Sequence, residues 1–315
     1  MSTSGGVPPA TSAPRHGSAW GRLRTWAVLV APLIAEGACA TAGAYTPRPE
    51  LTHEGALVIV GGAMEDPAIV QTFIELAGGP DAAIVIVPTA DQGEDFDEFY
   101  PGLGLFRHLG ARNLGVLHTR ERAVAESEEF VEPLRKADAV WFSGGRQWRL
   151  AEAYVGTRTH AELRALLDRG GVIGGSSAGA SIMASFLVRG DPRTNEIVMG
   201  EYQQGFGFLP GSAIDQHLLA RNRQFDLIPV VQKYPELLGI GIDENTAIVV
   251  EGEEFRVIGE GHVAIYDRGA MVDSGGFFYF LTPGDRFDLE TRKAFRSGQE
   301  EPLGRIERKP WPGVR

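Results

Sequence analysis

Two hydrophobic periods alternate along the chain from residue 56 onward. The runs 56–60, 82–87, 114–117, 139–142 and 171–173 are short, rich in Val and Ile and apolar on both faces, the pattern of strands buried between two layers. Between them, 67–77, 96–109, 128–136 and 160–169 place apolar residues at helical spacing with polar residues opposite, which predicts amphipathic helices. Strand-helix-strand alternation predicts a mostly parallel sheet covered by helices on both faces through right-handed crossovers, a three-layer α/β sandwich. Such sheets bind ligands beyond the carboxyl ends of their strands, so chemistry is to be sought there. After Gly205 the pattern breaks into short pieces, 239–243, 247–250, 255–258 and 262–266, which predict a small antiparallel extension. One α/β domain over 54–282 is expected, followed by a charged, Pro-containing tail, 283–315, expected to pack loosely.

The first residues follow another logic. Arg15, Arg22 and Arg24 precede an apolar run at 26–35, and Ala38-Cys39-Ala40 follows, which predicts a secretory signal and leader over 1–42 and a secreted or periplasmic protein. A stable membrane span is not expected, because the run falls short of the roughly 20 residues that a spanning helix needs. Cys39 is the only cysteine. A lipoprotein anchored there is the alternative, against which Glu36 stands where an aliphatic residue is wanted. A mature chain without cysteine has no disulfide, thiolate nucleophile or thiolate metal site, so its chemistry falls to oxygen nucleophiles. The net charge of -11, without a basic stripe, argues against a nucleic-acid partner.

Three predicted strands end in glycine: at Gly61-Gly62, at Ser143-Gly144-Gly145 and at Gly174-Gly175-Ser176-Ser177-Ala178-Gly179-Ala180. Within the last, Gly175 to Gly179 fits Gly-x-Ser-x-Gly, where a sharp strand-to-helix turn presents the middle serine. Ser177 is therefore the candidate nucleophile. The Ala178 N–H, with that of Gly144 or Gly145, is the candidate oxyanion site. Small residues also simply let a helix pack closely on a sheet; the strand before and the helical stretch after favour the catalytic alternative. A serine hydroxyl needs a base, and seven histidines are available. His16 lies in the signal and His53 in the leader. His108 and His160 belong to helices as surface or capping residues, His118 ends a strand, and His262 opens a late one. His217, in Asp215-Gln216-His217 after a short strand at 212–214, is the candidate base.

Four motifs in order, Ser-Gly-Gly-x-Gln at 143–147, the Gly-Ser-Ser-Ala-Gly-Ala elbow, Asp-Gln-His followed by Arg221 and Arg223, and Gly-Ile-Asp-Glu-Asn-Thr-Ala at 241–247, resemble the cyanophycinase-like branch of the peptidase S51 family over residues 54–268. The resemblance implies a fold similar to class I glutamine amidotransferases, flavodoxin-like in its sheet, and hydrolysis without metal or cofactor. It implies Ser177 as nucleophile, His217 as base and an acid lying between them. The candidates are Asp191, Glu196, Glu201 and Asp215, with Glu196 chosen by spacing. Arg146, Gln147, Gln216, Arg221, Arg223 and Asp226 match substrate-pocket positions. Two of them depart from the family, which usually has Asp at 146 and Arg at 226, and the expectation is that Arg146 and Asp226 face one another across the pocket. The implied substrate is cyanophycin, a poly-aspartate with arginine on its side-chain carboxyls, or a related β-aspartyl or acidic peptide, cleaved through an acyl-enzyme. Alternatives are an isoaspartyl or acidic dipeptidase of the same family and a non-catalytic secreted peptide-binding protein. An esterase of the α/β-hydrolase type is disfavoured, since no early His-Gly-Gly loop is present and the histidine follows the serine too soon. A homodimer is the default expectation for assembly.

Overall fold

In the computed structural model residues 53–267 and 276–304 are described, and the predicted signal at 1–42 lies outside the described residues. The Val- and Ile-rich runs become β1 (Ala56–Val60), β2 (Ala83–Val87), β3 (Asn113–Val116), β4 (Ala139–Phe142) and β5 (Val172–Ser176), which pair in parallel in the order β1-β5-β4-β2-β3. Alternate side chains of β1 enter different cores, Leu57 and Ile59 one, Val58 and Val60 the other, as the two-residue period of a strand requires. On one face lie α1 (Pro67–Leu76) and α2 (Gly104–His108), with Phe73 packed edge-on to Phe106 and Trp141. Truncating Phe73 to alanine would cost about 3–5 kcal/mol. On the other face lie α4 (Glu128–Lys136), α5 (Gln147–Tyr154) and α6 (Arg158–Asp168), through Leu134, Leu150, Leu163 and Leu166, with the single turn α3 (Arg122–Ala125) beside them.

The helix expected over 96–109 shrinks to a 3-10 turn at Pro101–Leu103 and α2. Pro101 and the glycines Gly102 and Gly104 explain why apolar spacing did not propagate into a longer helix. The pieces after Gly205 divide between two sheets. On the free edge of β1, β9 (Thr246–Glu251), β10 (Glu254–Gly259), β13 (Arg286–Asp288) and β14 (Lys293–Phe295) add antiparallel strands. Within the expected tail, β13 and β14 thus belong to the sheet instead of hanging loose, with Phe287 buried and stacked on Phe255, and residues 305–315 lie outside the described residues.

A second sheet, in the order β12-β11-β8-β7-β6, is built from β6 (Ala184–Phe186), β7 (Leu209–Gln216), β8 (Leu238–Ile242), β11 (Val263–Tyr266) and β12 (Tyr279–Leu281). Ile214, Ile240 and Ile242 share the core of β1 and β5, while its other face packs on α8 (Ile228–Lys233). The pairs β6–β7 and β7–β8 are parallel. That parallel pairing brings the chain emerging from β7 and the chain emerging from β8 to the same end of the sheet. Among the described residues no helix is long and apolar enough to cross a membrane.

Candidate active site

Ser177 leaves β5 at φ 56 and ψ -110, a conformation that costs a non-glycine residue about 1–3 kcal/mol. The surrounding packing enforces it. A Cβ on Gly179 would lie 2.2 Å from the Phe142 carbonyl oxygen, and one on Gly175 2.7 Å from the Gly179 carbonyl oxygen, so the two flanking glycines of the motif are steric necessities. The helix that follows, α7 (Ala178–Ser181), is a single turn before the chain enters β6. Ser177 is its N-cap residue, yet its side chain caps nothing, which leaves the hydroxyl available.

Three successive carbonyls at the end of β1 then act as a jig. Val60 O accepts the Ser177 N–H at 3.0 Å, Gly61 O the His217 N–H at 2.9 Å and Gly62 O the Asn245 N–H at 2.8 Å. Ser177, His217 and Asn245 all have positive φ, at 56°, 54° and 52°. Gly62 itself, at φ 131°, lies flat beneath the imidazole: a Cβ there would be 2.2 Å from His217 Cε1. Held this way, Ser177 Oγ is 2.8 Å from His217 Nε2, and His217 Nδ1 is 2.6 Å from Glu244 Oε1. With Nδ1–H donating to the carboxylate, Nε2 presents its lone pair to the hydroxyl. Asp243 Oδ1 accepts the Leu219 and Ala220 N–H groups at 3.0 and 3.1 Å, fastening the turn behind His217 to the loop that carries Glu244. Burial of the imidazole holds its pKa below the ordinary histidine value; the hydrogen bond that it donates to Glu244 raises it in part, and the positive charges of Arg221 and Arg223 lower it further. At neutral pH the imidazole is therefore unprotonated and able to accept a proton.

The carboxylate on His217 is that of Glu244, 27 residues after the histidine, and not Glu196. Glu196 is exposed on the wall of the neighbouring cleft, with its N–H on Thr194 Oγ1. Asp191 binds the Arg193 guanidinium and the N–H groups of Arg193 and Thr194, Asp215 is fully buried against Arg189, and Glu201 is exposed. The physical reason is the parallel pairing of β7 with β8, Gln216 beside Ile242, which sets the residues just past both strands next to each other.

Ala178 follows the serine in the chain, and Gly144 packs against it. A Cβ on Gly144 would lie 3.5 Å from Ser177 Cβ, and neither the Ala178 nor the Gly144 N–H meets a backbone acceptor among the described residues. A Cβ on Gly145 would press on Ala90 O, and the Gly145 N–H likewise meets no backbone acceptor among the described residues.

Next to this centre a cleft of about 630 Å3 is lined by Gln92, Gly145, Arg146, Asn195, Glu196, Arg221, Asn222, Arg223 and Asp226. Its link to the site is direct, since the Arg221 N–H donates to His217 O at 3.0 Å. Four predicted pocket residues, Arg146, Arg221, Arg223 and Asp226, line it. Gln147 and Gln216 are buried behind the wall: Gln147 Nε2 donates to Val188 O at 2.8 Å, and Gln216 Oε1 accepts from Arg223 Nη1 at 2.6 Å. Arg146 and Asp226 share the cleft, but the carboxylate of Asp226 is bonded to Arg189 and not to Arg146. Arg189, which no motif marks, is only 1% exposed and grips both Asp215 oxygens, each at 3.0 Å, while its Nη1 donates to Asn195 O. Three other histidines are engaged elsewhere. His118 is hydrogen-bonded to Thr89, His53 to Gly55 and Phe208, and His160, expected as a surface or capping residue, is buried, with its ring on Phe206 O and accepting the Gly156 N–H.

The chain is 34% identical over 225 residues to a cyanophycinase of Geminocystis herdmanii, covering 69% of this chain and 82% of the relative. It is 34% identical over 267 residues to a cyanophycinase of Nostoc sp., covering 78% and 88%. The crystal structure of a peptidase from an acI-B1 Actinobacterium superimposes with a TM-score of 0.58 at 26% identity, over 75% of this chain and 98% of that one. The sequence profile of Peptidase family S51 matches residues 57–258, and with these relatives it makes the chain a member of that family, a serine-type peptidase.

Proposed function

We propose that the protein is an exported peptidase that hydrolyses cyanophycin-type β-aspartyl or acidic peptides with Ser177 as nucleophile, His217 as general base and Glu244 as the group that orients it. The observation that carries this reading is the continuous hydrogen-bond chain from Ser177 Oγ through His217 to Glu244. Ser177 Oγ attacks the scissile carbonyl carbon while its proton passes to His217 Nε2, and the oxyanion meets the Ala178 and Gly144 N–H groups. The C–N bond then breaks, the imidazolium protonates the departing amine, and a serine ester remains. Water, deprotonated by His217, attacks that ester and releases the acid. The general base contributes about 10²–10⁴-fold and one oxyanion donor about 3 kcal/mol. The β-aspartyl class is supported by the cyanophycinases among the relatives, and an acidic peptide by the arginine-rich cleft next to the serine. Export rests on Arg15, Arg22 and Arg24 ahead of the apolar run at 26–35.

Product analysis after incubation with cyanophycin and with α- and β-aspartyl dipeptides tests the reading. The protein should release free amine from at least one of them, and Ser177→Ala should release none. Turnover surviving in Ser177→Ala, or no turnover of any of these substrates, would contradict it.

A further inference from the structure

The charged groups of the cleft are not equally available. Three guanidinium groups, Arg146, Arg221 and Arg223, face two carboxylates, Glu196 and Asp226. Asp226 is already bonded to buried Arg189, and that arginine is held in turn by Asp215, which is fully buried. Arg223 is half of a second internal contact, donating to the Gln216 carbonyl and side chain and standing 3.7 Å from Asp215. Arg146 and Arg221 are different: among the described residues neither side chain has a carboxylate or carbonyl partner. Arg146 also shares its corner with Arg149, close enough for the two like charges to oppose one another, and the Arg149 guanidinium is turned onto the carbonyls of Ala90 and Asp91. The one carboxylate of the wall without an ion-pair partner, Glu196, is exposed.

We propose that Arg146 and Arg221 form a carboxylate-binding subsite that makes this peptidase prefer an anionic residue beside the scissile bond and discriminate against a guanidinium-bearing one. The inference deepens the peptidase reading and rests on it for the position of the scissile bond. An arginine side chain entering this part of the cleft meets Arg146 and Arg221, neither neutralised by a carboxylate, while of the two cleft acids Asp226 is occupied by Arg189 and only the exposed Glu196 is open to it. A carboxylate entering the same part gains charge-assisted hydrogen bonds in the planar, two-pronged geometry that guanidinium offers. Arg221 couples the subsite to the chemistry, since its own N–H holds the His217 carbonyl. Asp226 keeps its role as an internal counter-ion, so a neutral residue at 146 removes one of the two unpaired positive charges and leaves that of Arg221.

Binding and turnover of two dipeptides, β-Asp-Glu and β-Asp-Arg, separate the possibilities. In the full-length Ser177→Ala protein, titration calorimetry should show β-Asp-Glu binding roughly tenfold more tightly than β-Asp-Arg. Adding Arg146→Gln should bring the two within about threefold, and adding Arg146→Lys should keep the order, which distinguishes loss of charge from damage to the fold. In the active protein kcat/KM should follow the same order. Equal or tighter binding of β-Asp-Arg, no measurable binding of either, or a preference unmoved by Arg146→Gln would overturn the subsite. Failure of the peptidase reading looks different: the binding preference would be present in Ser177→Ala while the wild-type protein cleaves neither dipeptide.

Discussion

The proposed catalytic centre and the cleft wall beside it hold their side chains by different means. Around Ser177, His217 and Glu244 the backbone does the holding: three consecutive β1 carbonyls take the amides of Ser177, His217 and Asn245, and the imidazole lies on a residue with no Cβ. In the cleft, side chains hold side chains. Asp226 is kept by Arg189, Arg189 by Asp215 and Arg223 by Gln216. A centre fixed by backbone tolerates little change in geometry, whereas a wall fixed by ion pairs is re-specified by changing a charge. The proposed reaction centre and the proposed specificity wall are thereby separated in the fold.

Substitutions on the two sides should consequently fail in different ways. The largest effect is expected from Glu244→Gln, which leaves the imidazole without its anionic partner. It should lower kcat by about 10⁴-fold, as for comparable triads, while Glu196→Gln changes kcat less than roughly tenfold. A reversed ranking in steady-state assays would put the acid back in the cleft. Next is Arg189→Met, which strands the buried Asp215 carboxylate and should cost about 3–5 kcal/mol of stability, read as a drop in the urea midpoint. Gly62→Ala acts on the jig: the added methyl group occupies the place of His217 Cε1, so kcat should fall by about 10²-fold with a smaller change in KM. The mildest is Arg221→Gln. The positive charge of Arg221 disfavours the imidazolium and so lowers the His217 pKa; without it that pKa rises, and activity should be lost at a higher pH as the medium is acidified. Glu244→Gln, which removes a stabiliser of the imidazolium, should move the same acid limb of kcat/KM toward lower pH in whatever activity remains.

What was legible in the sequence follows the same division. Doubly buried strands announce themselves as unbroken Val and Ile runs, so β1 and β4 coincide with their predicted bounds. Ser177 was legible because the strained turn demands glycine on either side, and His217 because it stands in a motif after a strand. Glu244 sat within a recognised stretch, Gly241 to Ala247, but its role depends on β8 running parallel to β7, and the short piece at 239–243 carries no mark of direction. Arg189 was invisible for another reason. Its partners, Asp215 and Asp226, lie 26 and 37 positions away, and an ion pair between segments so far apart in the chain leaves no period or spacing behind. The strands after Pro283 were missed because each spans three residues, too few to establish alternation.

The most direct test is covalent. Treated with a fluorophosphonate and weighed as the intact protein, the wild type should gain the mass of one phosphonyl group, located by peptide mapping at Ser177, with a labelling rate that falls below the His217 pKa and drops sharply in Glu244→Gln. Absence of label, or label retained in Ser177→Ala, would contradict the claim that this hydroxyl, aligned by His217 and Glu244, is the nucleophile.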